Sequence, residues 1–219
     1  ITGANRGIGL EFARQYSMAG WTVIGTARHP DAAAELSKLA ARVVQLDVTD
    51  PASVDRLGKD LAGTPIDILI NNAGIQPLMW TLADLDFDAF EQALAVNTVG
   101  PVRVTHALLP NLRSGKLRRI VNITTNLGSI AENTDGGFYG YRESKAALNM
   151  FTRSLAVELA GEGFTCVVLS PGWVQTDMGG PNATLTPAQS VTGLRKVIDG
   201  LTPAASGRFF NHDGEELPW

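Results

Sequence analysis

Short runs of β-branched and apolar residues alternate along this chain with longer segments whose apolar residues recur every three or four positions. The short runs predict strands at 21–27, 42–48, 65–70, 119–124, 164–170 and 208–211. The periodic segments predict helices at 10–20, 30–39, 87–112, 141–160 and 186–201, with a further helix starting at Asp50-Pro51. Strands and helices that alternate in this way are typical of an α/β fold, with a parallel sheet covered on both faces.

The pattern continues from one end of the chain to the other without a break. No internal repeat, low-complexity tract or linker divides it, so residues 1–219 are predicted to form a single domain. Two local features stand out. Ile1-Thr2 runs straight into a glycine loop that normally follows a strand, so we expect the first strand to be truncated in this numbering. The helical region 87–112 is interrupted near Asn97 and at Gly100-Pro101.

Composition narrows the functional classes. The chain is 44% hydrophobic and 18% charged, as globular proteins are, with a net charge of −4. Its longest basic run is Arg118-Arg119, which disfavours a nucleic-acid partner, and no apolar stretch or leader pattern predicts a membrane segment. A single cysteine, Cys166, lies in an apolar run and cannot form an internal disulfide, which fits a reducing cytoplasm. The three histidines are scattered, so no metal site is predicted.

Three glycines stand in a loop just before the first predicted helix, at Gly3, Gly7 and Gly9. Glycine lets the backbone approach a phosphate closely, and a helix N-terminus offers free N–H groups with a positive dipole end. The loop is neither a P-loop, because Leu10-Glu11 replace the required Lys-Ser/Thr, nor the G-x-G-x-x-G form. It indicates either a phosphate-binding turn or a plain turn with helix-cap glycines.

A basic residue follows the strand predicted at 21–27. In dinucleotide-binding folds, an acid about 20 residues past the glycines binds the ribose 2′-OH, whereas an Arg there accommodates a 2′-phosphate. This chain has Arg28 and no carboxylate at that position, and Arg6 adds a second positive charge in the loop. The pattern favours NADP, although two exposed arginines are common in general.

Tyr141 and Lys145 stand one helical turn apart at the head of the segment 141–160. At that spacing two side chains are roughly 5–6 Å apart on one helix face. A phenol has a pKa of about 10, and a neighbouring ammonium favours the phenolate, so we expect Lys145 to lower the pKa of Tyr141. Such a pair can act as general acid or base towards a carbonyl or an alcohol. By itself the spacing is also that of ordinary surface neighbours.

In chain order these motifs resemble the short-chain dehydrogenase/reductase family over essentially the whole chain. The matching motifs are T-G-x-x-x-G-x-G at 2–9, N-N-A-G at 71–74, Asn97, Y-x-x-x-K at 141–145 and Pro171-Gly172. The tail 213–219, with 139–145 and 172–180, is similar to the C-factor and sniffer-like carbonyl reductase branch. The resemblance implies a doubly wound, Rossmann-like sheet in the order 3-2-1-4-5-6-7.

The resemblance also implies a function, the NADPH-dependent reduction of a ketone or aldehyde. Tyr141 would protonate the substrate oxygen, Lys145 would bind the nicotinamide ribose, and Asn97 would hold a water linking Lys145 to solvent. Asp47-Val48 would contact the adenine, Asn72, Ala73 and Gly74 would line the adenosine side, and Thr176 would anchor the carboxamide. The full set implied for cofactor binding is Gly3, Asn5, Arg6, Gly7, Ile8, Gly9, Arg28, Asp47, Val48, Asn72, Ala73, Gly74, Tyr141, Lys145, Pro171, Gly172, Val174 and Thr176.

One position departs from the family pattern. The family carries a serine just past the fifth strand, whereas this chain has Thr124-Thr125 there and Ser129 a little later. Counted from the strand end, Thr125 takes the position, while counting back from Tyr141 lands nearer Ser129. Because loops absorb insertions and strand ends do not, we predict Thr125 as the hydroxyl that orients the substrate carbonyl.

Several alternatives stay open. Asn97 either serves the proton path or satisfies a broken helix, and Met79, Trp80 and Trp173 either line a hydrophobic substrate pocket or belong to the core. The resemblance implies a homodimer through the helices at 98–112 and 141–160, where His106, Met150 and Phe151 lie either on the seam or against the sheet. The rival function is a catalytically silent dinucleotide-binding protein that signals or senses redox state; a serine hydrolase is disfavoured because no G-x-S-x-G elbow is present.

Overall fold

The computed structural model describes all residues, Ile1–Trp219, as six parallel strands flanked by seven helices. The strands are β1 (Ile24–Ala27), β2 (Arg42–Gln45), β3 (Ile68–Asn71), β4 (Arg119–Ile123), β5 (Thr165–Ser170) and β6 (Phe209–Asn211). The helices are α1 (Gly7–Met18), α2 (Ala34–Leu39), α3 (Pro51–Asp60), α4 (Phe87–Leu94), α5 (Gly100–Ser114), α6 (Tyr141–Glu158) and α7 (Pro187–Asp199).

Residues 1–4 join two strand ladders into one layer. β1 pairs with β2, and β3, β4, β5 and β6 pair in that order, all in parallel. Between the ladders, the Thr26 N–H donates to the Ile1 carbonyl at 3.0 Å, and the Thr2 N–H donates to the Ile70 carbonyl at 3.0 Å. With residues 1–4 in the middle, the spatial order is the predicted 3-2-1-4-5-6-7. The doubly wound, Rossmann-like fold class is confirmed.

Helices cover both faces of this layer, as the alternating pattern predicted. One buried cluster packs α1, α2 and α7 against the sheet through residues such as Phe12, Leu36 and Leu194. The other packs α3, α5 and α6 against the opposite face. Every residue of β5 is buried, including Cys166, whose thiol pKa is raised to about 12 by burial. Cys166 is therefore a core strand residue, as predicted.

Several element bounds differ from the predicted ones. The region 30–39 is not one helix: a 3-10 turn at Pro30–Ala32 precedes α2. β1 and β3 are shorter at their amino ends than predicted. They begin at Ile24 and Ile68, whereas the apolar runs begin at 21 and 65. The interruption predicted in 87–112 is a π-helical turn, Ala95–Val99, between α4 and α5. Such single turns inside α-helices are frequently found at functional sites.

Two helix starts follow the sequence signals. The Asp50 carboxylate accepts the N–H groups of Ala52 and Ser53, with Pro51 at the first helical position of α3. Thr186 and Gln189 form a capping box at the start of α7. Further along, no helix combines the length and the apolar character that crossing a membrane requires.

Candidate active site

A cleft of about 690 Å³ opens at the carboxyl ends of the parallel strands. Ligands of open α/β sheets bind at this edge, and sites for small molecules and cofactors are typically about 300–1,000 Å³. The predicted site residues that line the cleft are Gly3, Asn5, Arg6, Gly7, Ile8, Arg28, Asp47, Val48, Asn72, Ala73, Gly74, Tyr141, Lys145, Pro171 and Thr176. The structure therefore brings most of the predicted set to one place.

The glycine loop forms one wall of the cleft. Gly3 and Gly7 have φ values of +62° and +54°, in the left-handed region that favours glycine. A Cβ on Gly9 would lie 2.3 Å from the Gly3 carbonyl oxygen, so Gly9 allows the helix to pack on the loop rather than touching a ligand. Arg6, at the N-cap of α1, makes no side-chain cap. The first-turn N–H groups of α1 are thus left for an anion, as a dinucleotide phosphate requires.

The two arginines predicted to bind the 2′-phosphate differ in whether they form an ion pair. Arg28 is exposed on the cleft and forms no ion pair or side-chain hydrogen bond with the protein. Arg6 instead pairs with Asp177 across the mouth of the cleft. The pair is highly exposed, so it is weak, and the role of Arg6 beside a 2′-phosphate stays a prediction. Arg28 is the predicted cation that has no such partner.

Polar contacts fix the strand ends that face the adenosine side. The Thr2 hydroxyl accepts the N–H groups of Asn72 at 2.9 Å and Ala73 at 3.0 Å. Hydrogen bonds from Thr49 hold the pKa of Asp47 below its ordinary value, so its carboxylate closes a turn. Val48, the neighbour of Asp47, is buried and lines the cleft, which leaves an apolar surface suited to a flat base.

Tyr141 and Lys145 are both buried at the inner end of the cleft. They are 7% and 4% exposed, and the Lys145 Nζ lies 5.9 Å from the centroid of the Tyr141 ring. Nζ donates to the Ile123 carbonyl at 2.9 Å, which aims the ammonium at the end of β4. This is an enclosed pair rather than a surface one.

The pKa prediction for Tyr141 is wrong in direction. Burial raises the pKa of Tyr141 to about 12, and hydrogen bonding with Thr125 only partly opposes the rise. Burial also lowers the pKa of Lys145 to about 8. Desolvation disfavours both charged forms, and here it outweighs the attraction that the sequence spacing suggested. The phenol consequently holds its proton at neutral pH.

The two candidate hydroxyls differ in placement. Thr125 is the second residue after β4 ends at Ile123, and its hydroxyl is near enough to the phenol to oppose part of the rise in the Tyr141 pKa. In this structure the hydroxyl donates to Asn126 Oδ1 at 3.2 Å. The Leu127 N–H donates to Thr125 Oγ1 at 3.2 Å, which fixes the rotamer. Ser129 is 2% exposed, and its Oγ accepts the Glu132 N–H at 3.2 Å inside the next loop. The placement supports Thr125.

Asn97 sits in the π-helical turn and is fully buried. Its side chain accepts the Ile75 N–H at 2.9 Å and donates to the Ile75 carbonyl at 2.8 Å and to the Ser144 hydroxyl at 3.0 Å. It therefore ties the turn to the segment after β3 instead of satisfying its own broken helix. A Cβ on Gly74 would lie 3.2 Å from Asn97 Oδ1 and 3.5 Å from Lys145 Nζ, so Gly74 separates the two.

The structure does not bring every predicted residue to the cleft wall. Gly9 serves packing, Val174 is 4% exposed, and Gly172 has a φ of +74° and approaches Leu185 and His212. Two predicted catalytic residues, Asn97 and Thr125, do not line the cleft either. Residues that sequence reasoning missed do line it: Arg14, His29, Ile75, Gln92, Asp177 and Met178. The neighbour of Thr125 in the sequence, Thr124, also lines the cleft. It is 2% exposed and its Oγ1 has no partner, an orphaned group that a bound cofactor can satisfy.

Apolar side chains stand exposed on the segments that follow β3 and β5. Leu78 is 71% exposed, Trp80 57%, Trp173 53% and Met178 47%. Met79, by contrast, is buried: its sulfur accepts the Asp86 N–H, and its methyl group packs near Gly140. Of the three residues left between pocket and core, Met79 therefore belongs to the core.

Comparison with known proteins agrees with this geometry. The sequence model described as short chain dehydrogenase matches residues 1–185. C-signal from Myxococcus xanthus is 56% identical over 155 residues, which is 71% of this chain and 93% of that protein.

Two solved structures are similar over the full length. The NADPH-bound carbonyl reductase from chicken fatty liver is 38% identical, with a TM-score of 0.90, and covers 100% of this chain and 97% of its own. The carbonyl reductase Sniffer of D. melanogaster is 34% identical, with a TM-score of 0.91 and the same coverage. The resemblance found in the sequence, including its carbonyl reductase branch, is confirmed.

Proposed function

This chain belongs to the short chain dehydrogenase family and is an oxidoreductase of that family, and on that premise we propose that it reduces a ketone or aldehyde with NADPH. The observation that carries the proposal is the buried Tyr141–Lys145 pair at the inner end of a cleft whose outer wall is a glycine loop. A protein that only bound a dinucleotide would have no need of a buried proton donor at that point.

NADP(H) is the cofactor that the cleft fits. The free N-terminus of α1 suits the pyrophosphate, and the unpaired Arg28 suits a 2′-phosphate, since charge-assisted hydrogen bonds to Arg are strong. The similar chicken enzyme carries NADPH in its crystal structure. Lys145 would hold the ribose next to the nicotinamide, and Thr176 its carboxamide. When bound, NADPH supplies the hydride.

The chain's own residues supply the proton and the orientation. Tyr141 keeps its proton at neutral pH because its pKa is about 12, so it is in the acid form that carbonyl reduction needs. Thr125, within reach of the phenol, would hold the carbonyl oxygen against Tyr141. Lys145 and Asn97 both approach Gly74, and a water that bridged this part of the site to solvent would return a proton to Lys145.

The proposed substrate class rests on exposed apolar side chains on the segments that follow β3 and β5. The segment 75–80 contains no charged residue, and it exposes Leu78 and Trp80. Trp173 and Met178 stand on the segment after β5. An uncharged carbonyl compound with apolar substituents would match this surface better than a charged metabolite.

The test is NADPH consumption over a panel of apolar ketones, aldehydes and quinones, with the Tyr141→Phe variant as the matched control. We expect turnover with at least one carbonyl by the wild-type protein and none above background by the variant. If both proteins bind NADPH and neither oxidises it with any compound, the reductase proposal fails.

A second candidate is a signalling protein that binds the dinucleotide. It is favoured by one observation, the 56% identity to a protein named C-signal. The two candidates differ in what Tyr141→Phe does, because a purely binding role would tolerate the loss of one hydroxyl group. A biological readout that survives this substitution would favour signalling without turnover.

We also propose that the protein is a homodimer in the cytoplasm. His106 and Met150 are exposed on α5 and α6, so they do not face the sheet, whereas Phe151 is half-buried against it. An exposed methionine and valine on α6, Met150 and Val157, suit a helix-to-helix seam. The sole cysteine, buried, fits a reducing compartment. A clean monomer at micromolar concentration would contradict the dimer.

A further inference from the structure

The segment just before Tyr141 has a strained backbone. Phe138 has a φ of +52°, and Arg118 is the only other non-glycine residue with a positive φ. For a bulky aromatic residue this region is a true outlier, because its Cβ crowds the backbone. Gly136, Gly137 and Gly140 share the left-handed conformation at +67°, +67° and +76°. Strain of this kind persists only where the surroundings impose it.

Contacts with residues 79 and 80 hold Phe138 in this left-handed conformation. The rings of Trp80 and Phe138 have centroids 4.2 Å apart and a tilt of 52°. The Tyr139 N–H donates to the Met79 carbonyl at 3.0 Å, and a Cβ on Gly137 would lie 3.2 Å from the Trp80 ring. The Arg142 guanidinium lies 5.9 Å from the centroid of the Phe138 ring. Phe138 is thus held on one side by residues 79 and 80 and on the other by Arg142.

The strained conformation has a direct consequence for α6. The Phe138 carbonyl accepts the N–H of Tyr141 at 3.1 Å and the N–H of Arg142 at 3.0 Å. Gly140, the N-cap residue, has no side chain to cap the helix. The first turn of α6, which carries Tyr141, therefore starts on a carbonyl that belongs to the left-handed Phe138. We expect a change of the Phe138 backbone to a negative φ to disturb these two hydrogen bonds.

We propose that Trp80 and Phe138 form a positioning pair, in which packing of the Trp80 ring against the Phe138 ring holds the Phe138 backbone and thereby fixes Tyr141. The catalytic part of this proposal rests on the proposed function, because it assigns proton donation to Tyr141. The structural part does not. Trp80 acts through Phe138 and need not touch the substrate, although its indole is 57% exposed.

Hydrogen exchange of the unliganded protein tests the structural part, whether or not the protein is a reductase. Trp80→Ala should speed exchange of the Tyr141 and Arg142 amides about tenfold or more, because their shared acceptor is released. Trp80→Phe, which keeps a stacking ring, should stay near the wild type. Leu82→Ala, at an exposed position two residues away, is the control. Unchanged exchange in Trp80→Ala would overturn the inference.

Kinetics then separate a positioning role from a substrate wall. Phe138→Gly adopts the left-handed conformation without strain, so it should keep its carbonyl in place without Trp80. Trp80→Ala alone should lower kcat roughly 3–30-fold with little change in NADPH affinity, and in the Phe138→Gly background it should have almost no further effect on kcat. If Trp80→Ala instead raises KM equally in both backgrounds and leaves kcat unchanged, Trp80 only contacts the substrate and the positioning pair is refuted.

Discussion

The cofactor end and the catalytic end of the cleft are formed by different kinds of chemical group. The cofactor end consists of backbone N–H groups, glycines and cations at the ends of β1, β3 and the first segment of the chain. The catalytic end consists of buried side chains, Tyr141 and Lys145, on a helix that starts on a strained turn. The first end can be specified by a short local sequence, whereas the second depends on packing between segments far apart in the chain. We therefore expect substitutions at the two ends to change different quantities.

The largest effect should come from Tyr141→Phe, which removes one oxygen and almost no volume. We expect kcat to fall roughly 10²–10⁴-fold, as the loss of a general acid does, with NADPH affinity nearly unchanged. Parallel measurement of single-turnover rate and NADPH dissociation constant checks both statements. A variant with full activity would place the acid elsewhere and would remove the distinction between the two ends.

The buried ammonium predicts an unusual dependence of stability on pH. The pKa of Lys145 falls from 10.5 to about 8 on folding, so between these values the unfolded chain binds more protons than the folded protein. The stability of the wild type relative to Lys145→Met should therefore rise between pH 8 and 10.5, by up to roughly 3 kcal/mol. Urea unfolding of both proteins across this range measures the slope. Lys59→Met, at an exposed position of α3, is the control.

The cofactor end should respond to charge. Arg28→Asp places a carboxylate where a 2′-phosphate is expected, and we predict that NADPH binds roughly 10–100-fold more weakly. Binding of NADH should change little or improve, because it lacks that phosphate. Titration with both cofactors gives the ratio. Equal affinity of the wild-type protein for the two would show that Arg28 does not select the cofactor.

Loss of the hydroxyl that orients the substrate carbonyl should have the smallest effect on catalysis. Thr125→Val is nearly isosteric and removes only the hydroxyl that approaches Tyr141, so kcat should fall about tenfold. Ser129→Ala should be mild, because the Ser129 hydroxyl accepts the Glu132 N–H within its own loop. Comparing kcat for the two variants assigns the role. The reverse order would give it to Ser129, and two mild outcomes would leave Tyr141 as the sole contact of the carbonyl.

The same contrast explains how far the sequence alone could predict this molecule. The glycine loop, Arg28 and the strand ends were predictable, because strand-end residues of a parallel sheet meet at one edge. The helix interruption near Asn97 was also visible, and the structure resolves it as a π-helical turn. These features depend on local sequence together with a fold that the alternation of strands and helices already indicates.

Features that depend on burial and long-range contacts could not be predicted. The pKa of Tyr141 was predicted in the wrong direction, because spacing reveals a charged neighbour but not the loss of solvent. The pairing of Arg6 with Asp177 joins residues from opposite ends of the chain. The left-handed backbone of Phe138 opposes the residue's own preference, and it is held by contacts with a distant segment, such as the packing of its ring against Trp80.

The central claim is that Tyr141 serves hydride transfer from NADPH to a carbonyl carbon. The most direct measurement uses NADPH that carries deuterium at the transferred position of the nicotinamide, incubated with the best carbonyl compound of the panel. We predict that the alcohol formed by the wild type carries one deuterium on the former carbonyl carbon, measured by mass spectrometry, and that Tyr141→Phe forms roughly 10²–10⁴-fold less labelled alcohol in the same time. An alcohol without deuterium, or equal amounts of labelled alcohol from both proteins, would contradict the account.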